Sequence, residues 1–316
     1  MTPTATMRAA VIDRYGPPEV LRIARVPLPE PGTGEVLVRV GAAGVNAIDW
    51  LSRAGRGVRL PQFPGVLGWD VAGTVAATGP GAGPLRVGER VFGTVRFPRP
   101  AGGYAEYVAA PADQLARTPD AVDDRTAAGA AMPGLTAWEA VHDHGAVARG
   151  QRVLVHSAAG GVGHVAVQLA AAQGAEVIAT ASAHNTAFLT DLGAHQVVDY
   201  TKDRFEDLVR DVDVVIDPRG GDDFRRLLAT LRPGGILVTL KGEQPDHTAL
   251  VRSRGVRAGY VYVAPDGSAL DRIAPLLADR RLRIGIERAL PLEDAAEAHR
   301  VGEQGHVRGR LVLDTG

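Results

Sequence analysis

The residues best placed to do chemistry in this chain are small ones. Ala158-Ala159-Gly160-Gly161-Val162-Gly163 ends an apolar, strand-like run, Val153-Leu154-Val155-His156-Ser157, and a helix-compatible run, Val165 to Ala172, follows directly. Strand, glycine turn and helix in that order suit the pyrophosphate of a dinucleotide. Small residues let the backbone approach the phosphates, and the helix N-terminus offers unpaired N–H groups and partial positive charge. The motif departs from G-x-G-x-x-G at its first position, where Ala158 stands, so the elements around it must decide.

Those elements repeat. Glu176-Val177-Ile178-Ala179-Thr180, Val197-Val198-Asp199-Tyr200, Val212 to Asp217 and Ile236 to Leu240 read as further strands, with helix-like segments between most of them. This is a βαβ series, which predicts a doubly wound parallel sheet. Residues 7 to about 125 read differently. Ala9–Ile12, Glu35–Val40, Val71–Val75 and Glu89–Phe92 are strand-like and are separated by Pro- and Gly-containing turns such as Glu30-Pro31-Gly32-Thr33-Gly34. An antiparallel, barrel-like domain is expected there. The tail offers a strand over Gly259–Val263, helices near Leu270–Ala278 and Leu292–Val301, and a last strand, Arg310–Leu313. The predicted domains are 1–125, completed by 258–316, and 126–257.

The chain has 316 residues, enough for two cores, and 35 basic residues balance 36 acidic ones. That balance excludes the basic footprint of nucleic-acid or anionic-membrane binding. With no cysteine, disulfides, thiol nucleophiles and cysteine-ligated metals are excluded. The N-terminus lacks a secretion signal. The uncharged window Val153–Ala175 contains His156, His164, Gln168 and Gln173 and reads as the dinucleotide unit, not as a membrane span. A cytoplasmic protein is expected.

Several motifs, in order along nearly the whole chain, carry a resemblance. They are Ala42 to Trp50 (AAGVNAIDW), Pro64 to Gly73 (PGVLGWDVAG), Gly102 to Tyr107 (GGYAEY), Met132 to Trp138 (MPGLTAW), Ala158 to Gly163, Leu231 to Gly235 and Gly309 to Leu313. The chain resembles the medium-chain dehydrogenase/reductase superfamily, in its zinc-free quinone oxidoreductase branch. The resemblance implies an α/β protein with a Rossmann sheet, a GroES-like β-rich catalytic domain at the N-terminus and a C-terminal return to that domain. Zinc-dependent relatives hold the metal with Cys, a Gly-His-Glu motif and a further ligand. Here Asn46 or its neighbours stand in the first ligand region and Gly68-Trp69-Asp70 replaces Gly-His-Glu. No metal is expected, and simple alcohol oxidation is disfavoured without a Lewis acid.

Nicotinamide choice is read after the second strand, where NAD enzymes place an acid for the ribose 2′-OH. Ala179 to Asn185 contains none; Ser182, His184 and Asn185 can donate hydrogen bonds to a 2′-phosphate, and the resemblance adds Tyr200. NADPH is therefore the expected cofactor, held by Ala159, Gly160, Gly161, Val162, Gly163, Ser182, His184, Asn185, Tyr200 and Lys241. Ser182 can equally cap a helix over Asn185–Leu192. The resemblance also places Asn46, Asp49 and Thr136 beside the nicotinamide and substrate. Plainer roles are open too: Asn46 can satisfy backbone groups in its turn, and Thr136 can cap a helix start. Trp50 and Trp69 can wall a flat pocket or fill a core. Tyr104 is expected to be exposed by its Gly102-Gly103 turn, where it can line the cleft. Asp217 ends the fourth strand, and the Pro218-Arg219 that follows departs from the family's small or apolar pattern. His142 and His144 are expected at the surface, since i and i+2 on a helix face different ways.

The expected activity is hydride transfer from NADPH to a quinone or to an activated C=C of an enone or enoyl compound, in the cleft between domains. The alternatives are a specialised enoyl reductase of polyketide or similar biosynthesis, and a non-catalytic NADPH-binding structural or regulatory protein. The expected partners are a small-molecule quinone or enone and a second copy of the chain, a homodimer formed at the Gly259–Val263 edge.

Overall fold

The computed structural model describes residues 5–221, 223–240 and 245–316. The chain divides into two compact units, Met1–Leu135 with Ala264–Gly316, and Thr136–Val263.

The first unit is built on mostly antiparallel strands. A small sheet joins β1 (Thr6–Ile12), β2 (Leu21–Pro27) and β4 (Gly65–Val66). A larger one contains β3 (Glu35–Val45), β5 (Asp70–Thr78), β6 (Arg90–Thr94), β7 (Tyr107–Pro111), β8 (Ala116–Arg117), β15 (Ile286–Pro291) and β16 (Arg310–Asp314). The C-terminal tail returns here, because β16 lies antiparallel beside β3 and parallel to β15. Helices α1 (Ala47–Arg53), α8 (Gly267–Ala278) and α9 (Ala295–Gln304) belong to this unit. α9 has Ala295, Ala298, His299 and Gly302 buried, the i, i+3, i+4, i+7 stripe of a helix packed on one side.

The second unit carries a parallel sheet. Among the described residues its six strands are β9 (Arg152–Val155), β10 (Glu176–Ala181), β11 (Gln196–Asp199), β12 (Val212–Asp217), β13 (Leu231–Thr239) and β14 (Arg257–Tyr260). Their spatial order is β11-β10-β9-β12-β13-β14, the 3-2-1-4-5-6 order of a Rossmann sheet. Helices α3 (Gly163–Ala172), α4 (Thr186–Asp191), α5 (Phe205–Leu208), α6 (Phe224–Thr230) and α7 (Pro245–Ser253) connect the strands. Leu154, Ile178, Val198, Val215 and Leu237 form one core under the sheet with Phe205, Phe224 and Leu227. α2 (Asp124–Trp138) contains the point of division between the units.

Three local expectations are corrected. The last Rossmann strand spans Arg257–Tyr260 and not Gly259–Val263. Its partner β13 ends at Thr239, opposite Tyr260, so the ladder runs out after the Val261 N–H reaches the Thr239 carbonyl at 3.0 Å. His142 and His144 are half-buried, less open than expected. They sit in a π-helical segment, Glu139–His144, where the His142 ring lies 4.2 Å from that of Trp138 and His144 bonds Glu139 at 3.1 Å. Burial pulls the His142 imidazole below its ordinary pKa. Tyr104 is fully buried and not exposed, for a reason that belongs to the site below.

Candidate active site and cofactor loop

In the first unit, sheet register assembles the site. Arg310 opens β16, Asn46 follows the last residue of β3, Asp70 opens β5 and Thr94 closes β6. These four strands are neighbours, with Leu311 paired to Val45, Gly44 to Asp70 and Asp70 to Thr94, so their polar ends come together at one edge. Asp70 is saturated. One carboxylate oxygen accepts from Thr94 Oγ1 at 2.6 Å and Met132 N at 3.2 Å, the other from Asn46 Nδ2 at 2.8 Å and Arg310 Nη2 at 3.3 Å. Burial pushes Asp70 up from the usual carboxylate range, while Arg310 and the three other donors oppose it. Four donors, one of them a guanidinium that does not deprotonate, leave Asp70 as the anion of a buried ion pair.

Asn46 is held from both sides. Its amide N–H bonds Asp70, and its carbonyl oxygen accepts from Arg310 Nη2 at 3.0 Å. Asn46 is also the N-cap residue of α1, with extended backbone, and its main-chain N–H donates to Asp49 Oδ2 at 2.6 Å. Asp49 thus folds back from the first turn onto the cap, as a capping-box carboxylate does. The same Asp49 oxygen accepts from the Tyr104 hydroxyl at 2.9 Å, and that hydroxyl lies 3.3 Å from His299 Nε2. Tyr104 can lie this deep because Gly68, at φ +94°, has no side chain. A Cβ there would sit 2.3 Å from Tyr104 Cδ1. Asp49 and Tyr104 are sealed from solvent, and desolvation is the leading cause that pushes Asp49 up to about 7. Desolvation also leads in holding the His299 imidazole down to about 3 and the Tyr104 phenol well above its usual value.

In the second unit the cofactor loop is made of backbone. Ser157, at φ +50°, turns the chain out of β9, Gly160 N–H closes onto the Ser157 carbonyl at 3.1 Å, and α3 begins at Gly163. A Cβ on Gly163 would meet Ser157 O at 2.5 Å and Ala158 Cα at 2.8 Å, so the turn closes on the helix start only with glycine there. His156 fastens the turn from below. Its Nδ1 is 2.8 Å from Thr180 Oγ1, which also accepts Ser157 N–H at 3.1 Å. Residues Ala159 to Gly163 thus stand between strand and helix, at the carboxyl end of β9 where the strand order reverses, and this cradle fits a pyrophosphate.

The loop after β10 gathers three expected residues. Asn185 Nδ2 is 3.3 Å from Ser182 Oγ and 3.2 Å from His184 Nε2. Ser182 precedes a 3-10 turn, Ala183–Asn185, and makes no side-chain cap, which leaves its hydroxyl to other partners. Tyr200 lies alongside, its N–H bonded to the Ala181 carbonyl at 3.3 Å. Lys241 lies outside the described residues. Thr136 is buried within α2, past the division between the units, and is not at a helix start. Asp217 closes its own loop, accepting from Arg219 N and Gly220 N at 3.1 and 2.9 Å. Trp69 belongs to the core of the first unit, with its indole N–H on the Arg99 carbonyl at 2.7 Å.

Sequence reading misses Arg310, Asp70 and His299 as site members, and places Tyr104 at the cleft but exposed, where the structure buries it. The available signals are an arginine opening an apolar final strand and a histidine on the apolar stripe of α9. Lys202 Nζ lies 3.9 Å from Asp199 Oδ2 at the end of β11, close to Tyr200 in the chain.

The donor set does not fit zinc. Among the described residues no three His, Cys, Asp or Glu side chains converge, Trp69 is turned to a carbonyl, and Asp70 already holds a guanidinium.

Residues 32–120 match the alcohol dehydrogenase GroES-like domain family, and residues 192–313 match the zinc-binding dehydrogenase family. The chain is 32% identical to a 2-haloacrylate reductase from Burkholderia sp, over 96% of its own length and 98% of the relative's. A quinone oxidoreductase from Coxiella burnetii superposes with a TM-score of 0.93 at 34% identity, covering 99% of this chain and 100% of that one. The chain belongs to the quinone oxidoreductase-like branch of the medium-chain dehydrogenase/reductase superfamily. Mycobacterial Rv1454c, solved complexed with NADPH, matches with a TM-score of 0.86 at 32% identity, over 98% of this chain and 99% of that one. As a member of this family the protein is a nicotinamide-dependent oxidoreductase acting on a small molecule, with a GroES-like domain and a Rossmann sheet. No helix among the described residues is long and apolar enough to cross a membrane.

Proposed function

We propose that the protein reduces a quinone or an activated C=C with NADPH and without zinc. The observation that carries this reading is the Asn46 amide, fixed between Asp70 and Arg310 with one N–H bonded and a second left to give. Bound NADPH supplies the hydride. A quinone or enone spreads the arriving charge into its own carbonyl, where fixed hydrogen-bond donors can stabilise it. Asn46 is the donor for that developing charge, and Asp70 and Arg310 hold it in place. Thr136 remains a proposed second donor, and Asp49 acts through Asn46. The 2-haloacrylate reductase relative, named for an acceptor with an activated C=C, favours the C=C half of the substrate class.

For the cofactor, the Ser182 hydroxyl and the His184 imidazole offer hydrogen bonds to a 2′-phosphate, Asn185 Nδ2 bridges and orients the two, and Lys202 supplies a further cation. We also propose that β14, at the open edge of its sheet, pairs with a second copy of the chain, with Tyr262, 69% exposed just beyond it, lying at the seam.

The test is NADPH oxidation against a panel of quinones, enals and enoyl thioesters, with simple alcohols and NADP+ as the reverse control. Turnover with at least one conjugated acceptor is expected, and exhaustive chelation should leave it unchanged. Faster oxidation of simple alcohols than reduction of any conjugated acceptor would overturn the reading.

A further inference from the structure

Asp49, Tyr104 and His299 are polar, buried and linked in a row, and the scheme above uses only the first of them. Asp49 Oδ2 takes two hydrogen bonds, and Asp49 Oδ1 has no partner among the described residues. At the far end His299 Nδ1 is equally buried and, among the described residues, without a partner. Between them stands one hydroxyl, Tyr104 Oη, within reach of Asp49 Oδ2 at 2.9 Å and of His299 Nε2 at 3.3 Å. A phenol has one proton to donate, so it cannot donate in both directions at once.

That constraint defines two arrangements. With Asp49 ionised, the phenol donates to the carboxylate and His299 donates Nε2–H to the phenol oxygen. With Asp49 protonated on Oδ2, the carboxylic acid donates to the phenol, the phenol donates to a bare Nε2, and the imidazole proton moves to Nδ1. Both keep His299 neutral. Few other charges face the chain among the described residues. Asp70 and Arg310 face Asp49 and Tyr104, joined to Asp49 through Asn46, and Arg53 of α1, paired with Glu303 of α9 at 2.7 Å, faces the imidazole. The Trp50 ring meets the His299 ring at an edge, with centroids 6.4 Å apart.

We propose that Asp49, Tyr104 and His299 form a buried hydrogen-bond chain that reverses direction when Asp49 exchanges a proton, and that Tyr104 and His299 are thereby positioning residues for Asn46. The link to Asn46 runs through its backbone, since the Asp49 oxygen that takes the phenol also takes the main-chain N–H of Asn46 at 2.6 Å. An ionised Asp49 grips that N–H with a charge-assisted bond, and a protonated one with a weaker neutral bond. The grip on the Asn46 backbone, which carries the side-chain amide proposed as donor to substrate, therefore follows the proton. The catalytic half of this inference rests on that reading of Asn46; the chain itself does not.

Nitrogen NMR of the full-length protein with labelled imidazoles reads the tautomer directly, from about pH 5 to about pH 9. His299 is assigned from the resonance missing in His299→Gln. In the wild type the His299 tautomer should cross from Nδ1–H to Nε2–H as pH rises, and the Asn46 amide shift should move with the same midpoint. In Tyr104→Phe the Asn46 amide should still titrate, with its midpoint raised because the phenol no longer stabilises the anion, while His299 no longer follows. A single His299 tautomer across the range would overturn the chain, as would an unchanged crossover in Tyr104→Phe. Should that variant not fold, Asp49→Asn takes its place, and the His299 tautomer must then be independent of pH. In turnover, Tyr104→Phe should displace the midpoint of the kcat–pH profile and leave KM for NADPH within about twofold. A profile superposable on the wild type would overturn the positioning role. A wild type inactive with every acceptor would instead defeat the proposed function and leave the two NMR readouts standing.

Discussion

The two units build their working parts from opposite materials. The Rossmann unit uses backbone. Its phosphate cradle is a turn closed by Ser157, Gly160 and Gly163, and its specificity lies in how closely the chain can pass itself. The GroES-like unit uses side chains. Asn46, Asp49, Asp70, Tyr104, His299 and Arg310 are all buried and hold one another in a single polar network. A backbone site fails through shape and a side-chain site through an uncompensated charge, so single substitutions should separate them.

The largest effect is expected in the side-chain network. Arg310→Met leaves Asp70 buried without its cation, with side-chain exposures of 7% and 0% for the pair, and should cost about 3–5 kcal/mol in denaturant unfolding. The double variant Asp70→Asn/Arg310→Met should recover part of the loss, because no charge is then left unpaired. A loss below about 1 kcal/mol for Arg310→Met would show that the pair is not what holds the sheet edge. Gly163→Val is the counterpart in the cradle. It places a Cβ against backbone atoms of Ser157 and Ala158, which cannot swing aside as a side chain would. NADPH binding should weaken by about 100-fold, roughly 2.7 kcal/mol, by calorimetric titration. Binding within a few-fold of wild type would mean that shape does not govern this loop.

The same contrast explains what is legible in the sequence. Backbone sites leave local signatures: the strand, glycine turn and helix from Val153 to Ala172 appear in the structure as β9, the cradle and α3. The side-chain network leaves almost none, because its members are far apart in the chain. Asp49 and Tyr104 are 55 residues apart, Tyr104 and His299 are 195 apart, and Asn46 and Arg310 are 264 apart. Asn46 and Asp49 stand in a motif that a short window contains, but their partners depend on sheet register, which no short window holds. Tyr104 is misread because a Gly-Gly turn suggests exposure, when Gly68 on another segment opens the space that buries it. The β14 boundary is displaced because the alternating Val and Tyr continue past the point where β13 ends.

The network should also leave a signature in pH dependence. Asp49 has its folded pKa raised, from 3.8 to about 7. Its contribution to stability is therefore complete below about pH 4 and is lost as pH rises through about 7. His299 is lowered, from 6.5 to about 3, so its contribution is complete above 6.5 and is lost as pH falls through about 3. Between about pH 4 and about pH 6.5 the unfolded chain carries a proton on the histidine and the folded chain carries one on the aspartate. The two slopes oppose each other, and this pair adds almost no pH dependence in that window. Single variants should unmask each slope, up to about 1.4 kcal/mol per pH unit. Relative to wild type, Asp49→Asn should gain stability as pH rises across the window, and His299→Gln should lose it. Parallel stability–pH curves for all three proteins would show that neither group titrates differently on folding.

The smallest effect belongs to Lys202. Its side chain is three-quarters exposed, with Nζ 3.9 Å from Asp199 Oδ2. In the run Asp199-Tyr200-Thr201-Lys202 it follows closely on Tyr200, whose N–H ties this segment to Ala181 and so to the loop of Ser182, His184 and Asn185. Asp199 works against the lysine there. Thr201 bonds Asp199 Oδ1 through both its hydroxyl and its N–H, at 2.7 and 3.1 Å, which keeps that carboxylate below its usual pKa and charged. An exposed cation facing a charged acid is worth little in isolation. Its value should appear only when a 2′-phosphate arrives to share it. Lys202→Gln should therefore weaken NADPH by about three- to tenfold and leave NADH nearly unchanged, with an effect that fades as salt is raised. Equal losses for the two cofactors would assign Lys202 to the fold of the loop and not to the phosphate. No loss for either would leave Ser182 and His184, bridged by Asn185, as the whole of the preference.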